Sequence, residues 1–423
     1  MKRTLAALSL IALISASSAF AQSKPSNLAE ALAQYLSAES IRAEEDASQF
    51  VNQFCFAPSV RQCLLRLSER LAPRADNVGE TVLALQILAE VQADIGQTDA
   101  ATATFAQAER LILRRFGGFT KELALADLSR SLINAGRYQQ ARRVSNEIEK
   151  EMSQVVALLE IANALLNAGN LVQGEATLAE GREALKAATI RGPRDSTRHF
   201  ALSELAAGLT RLGQVDLAMD TISQIPDERR RASALQQFVE ALLEIGRLAL
   251  AQEITQGITQ SIQRIKALTQ LAEYYFAAGN LAEANRMSGQ ALSYAMQIEG
   301  AGARAYGIAF VAEALAKTGQ NEKAKNLAIA IERPFEGAMT LSLVAAELAA
   351  NGHREDALTL FVHAQEMAYS IESTGKKNTA LADIGRNLAQ AGFLAEALIA
   401  SQASDSNYAR SVVYANLARA INE

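Results

Sequence analysis

Large apolar residues return along this chain in steps of three and four, and each run of them stops at a glycine. The stopping glycines are Gly96, Gly136, Gly169, Gly213, Gly246, Gly279, Gly319, Gly352 and Gly392. Eleven positions before them stand Leu85, Leu125, Leu158, Leu202, Leu235, Leu268, Ile308, Leu341 and Leu381. Eight before stand Leu88, Leu128, Ile161, Leu205, Phe238, Leu271, Val311, Val344 and Ile384. Four before, from the second run onward, stand Leu132, Leu165, Leu209, Leu242, Tyr275, Leu315, Leu348 and Leu388. That spacing sets all three on one face of a helix of about four turns. Glycine ends such a helix readily, because the left-handed conformation costs a side chain about 1–2 kcal/mol and glycine nothing. Five positions further on come Ala101, Ala141, Gly174, Ala218, Ala251, Ala284, Ala324, Ala357 and Ala397. A small residue there admits a second helix close to the first. Each unit is predicted to be an antiparallel helical hairpin.

The glycines recur at intervals of 33, 40 or 44 residues, the signature of a stacked repeat array. The shorter units have short second helices, broken at Pro226 and Pro334, whereas the longer ones extend theirs, as in Thr104–Arg115 and Asn285–Ile298. The polar stretch Arg191–Ser196 is the longest predicted loop and the expected site of nicking. Before the repeats, Asn27-Leu28-Ala29-Glu30 reads as a capping box opening a helix that runs to about Phe54. A second helix follows Pro58 and ends near Ala72-Pro73. Residues 22–79 are therefore expected to cap the open apolar end of the first repeat. The stretch 408–423 repeats the first-helix pattern through Arg410, Tyr414 and Leu417, but no second helix follows it. It is read as a C-terminal cap on the repeats of 80–407.

Seven before the turn glycine a small residue is common, as in Ala162, Ala206, Ala272, Ala312, Ala345 and Gly385. With the aliphatic stripe, the turn glycine and the alanine beyond it, this pattern resembles the tetratricopeptide repeat over residues 80–421. The chain departs from the family in having no tryptophan and in lacking most of its repeat-ending prolines. It is closer to a loose bacterial variant with [RK]-x-x-A-L ahead of the stripe. The resemblance implies an all-α fold, a right-handed superhelical α-solenoid of about nine hairpins. It also implies a groove, lined by first-helix residues flanking the stripe, that holds an extended peptide.

The basic residue of that variant falls at Lys121, Arg198, Arg231, Arg264, Arg304 and Lys377. A ladder for an anionic polymer is one reading; pairing with acidic residues of the preceding hairpin is the expected one.

Lys2 and Arg3 precede an apolar run, Thr4–Ala16, and Ala19-Phe20-Ala21 supplies a small-x-small cleavage pattern. Residues 1–21 read as a secretory signal peptide, too short for a membrane span. The mature chain is expected to begin at Gln22 in the periplasm, with secretion as the alternative. Its balance is mildly acidic, 41 Lys and Arg against 46 Asp and Glu before cleavage removes Lys2 and Arg3. Nonspecific nucleic-acid binding needs a basic footprint, so no nucleic-acid partner is expected.

The two cysteines, Cys55 and Cys63, lie outside the repeats. In an exported chain such a pair favours a disulfide. On one continuous helix they would stand about 12 Å apart, too far to bridge, but Pro58 starts a new helix and lets them face across a corner. A thiol redox pair is the alternative, although the spacing is not C-x-x-C.

No catalytic motif emerges. There is no H-E-x-x-H, P-loop, G-x-S-x-G or G-x-G-x-x-G after a strand. The three histidines, His199, His353 and His363, are scattered, so neither a metal nor a cofactor is expected. Mapped onto the family's groove, the positions six and two before the turn glycine collect Glu240, Glu244, Glu273 and Glu313 in adjacent units. The mid-groove should be negative and suit a basic segment, unless these side chains form an ordinary solvated face. The reading is a non-enzymatic scaffold for a protein or peptide partner. The alternative is a catalytic or accessory component of a peptidoglycan-related enzyme system, which would be expected to carry a separate non-repeat domain.

Overall fold

The computed structural model describes residues 60–188 and 196–421. The expected signal peptide, the helix expected before Phe54, Cys55 and most of the loop from Arg191 lie outside them. The described chain is helical, with no strand. It forms two compact units, one of residues 60–91 with 373–421, the other of residues 92–372. No helix among the described residues is long and apolar enough to cross a membrane.

The larger unit is a row of hairpins. Its first helices are α4 (Gly118–Asn134), α6 (Glu151–Asn167), α8 (Ser196–Arg211), α10 (Glu228–Glu244), α12 (Ser261–Ala277), α14 (Ala301–Lys317) and α16 (Pro334–Ala350). Between them run the second helices α5 (Tyr138–Ser145), α7 (Leu171–Ala187), α9 (Val215–Ser223), α11 (Leu248–Gly257), α13 (Leu281–Met296) and α15 (Asn321–Ile329). Before α4 comes α3 (Thr98–Arg115), preceded by α2 (Val78–Asp94), and after α16 comes α17 (Arg354–Tyr369). Successive first helices pack side by side. The second helices of 16 to 18 residues belong to the longer repeats and those of 8 to 10 to the shorter ones.

Burial follows the stripe. Every residue eight before a turn glycine is buried, from Leu88 to Ile384, as is every apolar residue four before one. All nine turn glycines have φ between 68° and 88°. The residue after each donates its N–H back five positions, as Arg137 does to Leu132 at 2.8 Å and Asn280 to Tyr275 at 2.8 Å. This Schellman closure satisfies carbonyls that the helix end would leave orphaned. Small residues sit at the crossings: a Cβ on Gly174 would lie 2.6 Å from Leu166 Cδ2.

The basic row is not what the sequence suggests. Lys121 does meet a carboxylate, but it is Glu149, ahead in the chain, at 2.8 Å. Arg231 and Arg304 donate to the carbonyls of Ile225 and Ile298, at 3.0 and 3.1 Å, and Arg198 reaches that of Leu185 at 3.2 Å. Arg264 donates to Thr255 and Gln256. Each of these carbonyls closes the preceding second helix, where the helix dipole and unpaired carbonyls both favour a cation. The arginine seals the joint between hairpins.

The smaller unit holds α1 (Val60–Leu71), a 3₁₀ turn (Ala72–Arg74), most of α2, α18 (Thr374–Gln390), α19 (Leu394–Ala403) and α20 (Asn407–Ala420). Here the helix expected to stand alone has a partner. The α20 helix packs against α18, as one first helix on the next, and against α1, which takes the second-helix place. The fully buried hydroxyls of Ser68 and Ser411 lie 3.0 Å apart, and each also donates to the other residue's carbonyl. Asn407 reaches the Arg74 carbonyl at 2.8 Å and Arg61 that of Ala418 at 3.2 Å. One helix pair is thus assembled from segments far apart in sequence, α1 and α20. Cys63 is buried on α1.

Candidate functional site

The four glutamates singled out by register do meet. They line a cleft of about 690 Å³ over α10, α12 and α14, in the larger unit. Glu240 and Glu244 stand one turn apart on α10; Glu273 on α12 and Glu313 on α14 face them. The Schellman-closed ends of α10, α12 and α14 fix the frame these side chains stand on.

The cleft is less negative than four carboxylates suggest, because the chain supplies its own cations. Lys317 Nζ lies 2.8 Å from Glu313 and 3.6 Å from Glu273. Arg211 holds Glu244 at 2.8 Å. Glu240 is exposed and accepts a bond from the neutral amide of Gln270 at 3.0 Å. Burial pushes the Glu273 carboxyl above its ordinary value, and Lys317 pulls back against it. Burial also disfavours the Lys317 ammonium, but the bond to Glu313 and the charge of Glu273 outweigh that and raise its pKa. Of the four glutamates, Glu240 and Glu244 are exposed, and Glu273 and Glu313 are half-buried and paired.

Register analysis at six and two before the glycine misses the next turn up. Nine before the glycine stand Asp127, Glu160, Glu204, Gln270 and Phe310. The first three join a second cluster on α4, α6 and α8. Arg130 bridges Asp127 at 2.5 Å and Glu160 at 3.0 Å. Asn163, buried on α6, donates to the Glu204 carboxylate and carbonyl, both at 2.9 Å, and accepts from Arg211 at 3.1 Å. Since Arg211 also holds Glu244, it ties this cluster to the cleft. One Glu160 oxygen is buried and accepts no hydrogen bond. Burial, together with the neighbouring Glu160 charge, pushes Glu204 up to about 6, against the pull of Asn163 and Arg211. A scan of one further offset along each helix would have found these carboxylates.

Tyr274 and Phe310 bring aromatic rings to the cleft lining, and Tyr306 packs beside Phe310. Tyr306 and Phe310, one turn apart on α14, pack edge to face with centroids 4.8 Å apart. The Lys266 ammonium of α12 lies 4.4 Å from the Phe310 centroid and 5.8 Å from that of Tyr306. Both lysine and rings sit on positions that the sequence analysis did not single out.

Among the described residues no group of three or more His, Cys, Asp or Glu is placed to hold a metal ion. His199 is buried with Nδ1 3.0 Å from Arg230, while His353 stands at the start of α17. The arrangement offers charge and aromatic faces to a bound cation.

No family model matches the chain, and no curated protein sequence does. Among solved structures it is similar to Ton1535 from Thermococcus onnurineus NA1, at 15% identity and a TM-score of 0.26, over 81% of this chain and 99% of that one. It is also similar to a circular tandem repeat protein with a novel repeat topology and enhanced subunit contact surfaces. That match has 15% identity and a TM-score of 0.16, over 87% of this chain and 77% of the other. Likeness at this level carries no inference about function; the all-helical repeat architecture rests on the geometry above.

Proposed function

We propose that this chain is a non-enzymatic, tetratricopeptide-like scaffold that holds a basic peptide or protein segment against its row of first helices. The observation that carries the reading is the convergence of Glu240, Glu244, Glu273 and Glu313 on one open cleft. Stacked helices lie about 8–10 Å apart, close to the Debye length at physiological salt, so carboxylates on neighbouring helices act partly together on a cation. Glu240, met by an amide and not by a cation, is the first available anchor.

The scaffold is exported in this reading, with cleavage after Ala21 and a disulfide between Cys55 and Cys63. An intact mass of the envelope-fraction protein beginning at Gln22 supports export; a mass retaining Met1–Ala21 removes it. Closing so short a loop is worth roughly 2–3 kcal/mol in the chain-entropy model. Two free thiols under nonreducing, denaturing conditions would exclude the bridge.

The partner is tested by pull-down from envelope extract on immobilised wild type and Glu240→Lys, read by mass spectrometry. A basic protein retained by the first and lost from the second supports the scaffold reading. Identical retention by both places binding elsewhere.

A further inference from the structure

We propose that Phe310 on the cleft lining, with Tyr306 packed beside it, forms an aromatic seat for one arginine side chain of a partner segment, and that Lys266 fills this seat from within the chain. The inference rests on the reading of the cleft as the site for a basic segment and adds where a cation is read and what competes for it. The seat is built from Tyr306 and Phe310. Residues four apart on a helix lie one above the other, and these two rings pack edge to face. Tyr306 is 48% exposed, so the seat opens outward to an incoming group.

Cation and carboxylate are mismatched in this cleft. The Lys266 ammonium is held by ring faces, at 4.4 and 5.8 Å, and not by a carboxylate. Glu240, in the same cleft, is held by an amide and not by an ammonium. A cation attracted to the negative face of a ring gains most when partly desolvated, and Lys266 and Phe310 are both half-buried in the cleft lining. Lys266 is therefore a stand-in: a flexible four-carbon stem parks its charge on the rings and can swing to water. Guanidinium is the better occupant because it is planar, stacks on aromatic faces and is less strongly hydrated than ammonium. A bound arginine would take the ring faces and leave its chain free to present further cations to Glu240 and Glu244. In an extended segment three residues span about 10 Å, close to the spacing of adjacent helices.

The test titrates the full protein with hexa-arginine, acetylated and amidated, and with hexa-lysine. Relative to wild type, Lys266→Met is expected to tighten hexa-arginine about fivefold or more, and hexa-lysine less. Adding Tyr306→Leu, or separately Phe310→Leu, to Lys266→Met is expected to remove most of that gain. Circular dichroism and melting of each variant confirm folding, and the exposed Tyr306 keeps the test valid if Phe310→Leu loosens the helix. The proposal is overturned if Lys266→Met leaves hexa-arginine binding unchanged. It is equally overturned if the gain survives loss of the rings, since removing one positive charge then explains it. In both cases wild-type binding that still weakens with salt and with Glu240→Gln keeps the acidic-cleft reading intact. If no variant binds either peptide, both fall together.

Discussion

Two stretches of the same helix row use the same residue types, one turn of helix apart in register, to opposite ends. On α4, α6 and α8, carboxylates nine before the turn glycine are bridged by Arg130 and Asn163 and drawn inward, with one Glu160 oxygen buried and unbonded. On α10, α12 and α14 the carboxylates six and two before the glycine stand around an open cleft with aromatic rings on its wall. The difference comes from one turn of helix and from what stands beside each acid. Asn163 and the small Gly208, whose Cβ would lie 2.4 Å from Leu178, let the first cluster close. Beside the second one Lys266 lies over the Phe310 ring, which Tyr306 packs against edge to face. An acidic residue in a groove is therefore not by itself a ligand site; its neighbours decide whether it is structural.

The largest effect should come from breaking the closed cluster. Asn163→Leu, similar in bulk, would strip Glu204 of its donor and Arg211 of an acceptor, at a cost of about 2–3 kcal/mol by urea denaturation. A loss below about 0.5 kcal/mol would mean that the cluster is not closed in solution.

Glu204 sharpens the same contrast through pH. Its carboxyl is raised from 4.5 to about 6, so the protonated form is favoured by folding. The stability it contributes is present below pH 4.5 and is lost as pH rises through 6. Glu204→Gln removes this dependence. Relative to wild type the variant should gain about 2 kcal/mol between pH 4 and pH 7.5. A difference that stays flat with pH would show that Glu204 titrates normally.

At the turn that ends α12, Gly279→Val introduces a β-branched residue at a φ of +76°. No atom lies within 4 Å of the new Cβ, so the cost is backbone strain alone, about 1–2 kcal/mol. An unchanged melting temperature would mean that the left-handed turn is not required.

The smallest effect on stability belongs to the cleft itself. Glu240→Lys replaces an exposed side chain held by one amide and should move stability by no more than about 0.5 kcal/mol. A large loss would make the cleft structural, like its neighbour.

The hairpins, their lengths and their turn glycines were legible because periodicity repeats a local rule nine times in one chain. Three features were not. The four arginines that reach backbone carbonyls at hairpin joints look like ion-pair partners in a sequence, since a backbone carbonyl acceptor leaves no letter behind. The pairing of α1 with α20 joins Ser68 to Ser411, and no local pattern spans that distance. The acidic register was half legible: the offsets held the four cleft glutamates, and Arg211 and Lys317 that pair with three of them, but not Asp127, Glu160 and Glu204 one turn away.

The central claim is that the cleft over α10, α12 and α14 binds a basic segment through its exposed carboxylates. Fluorescence anisotropy of labelled hexa-arginine, from about 50 to about 300 mM salt, tests it most directly on wild type and on Glu240→Lys/Glu244→Lys. The account predicts wild-type affinity that falls steadily with salt, and a double variant at least tenfold weaker at low salt with association slowed most. Affinity indifferent to both salt and the double reversal would contradict it.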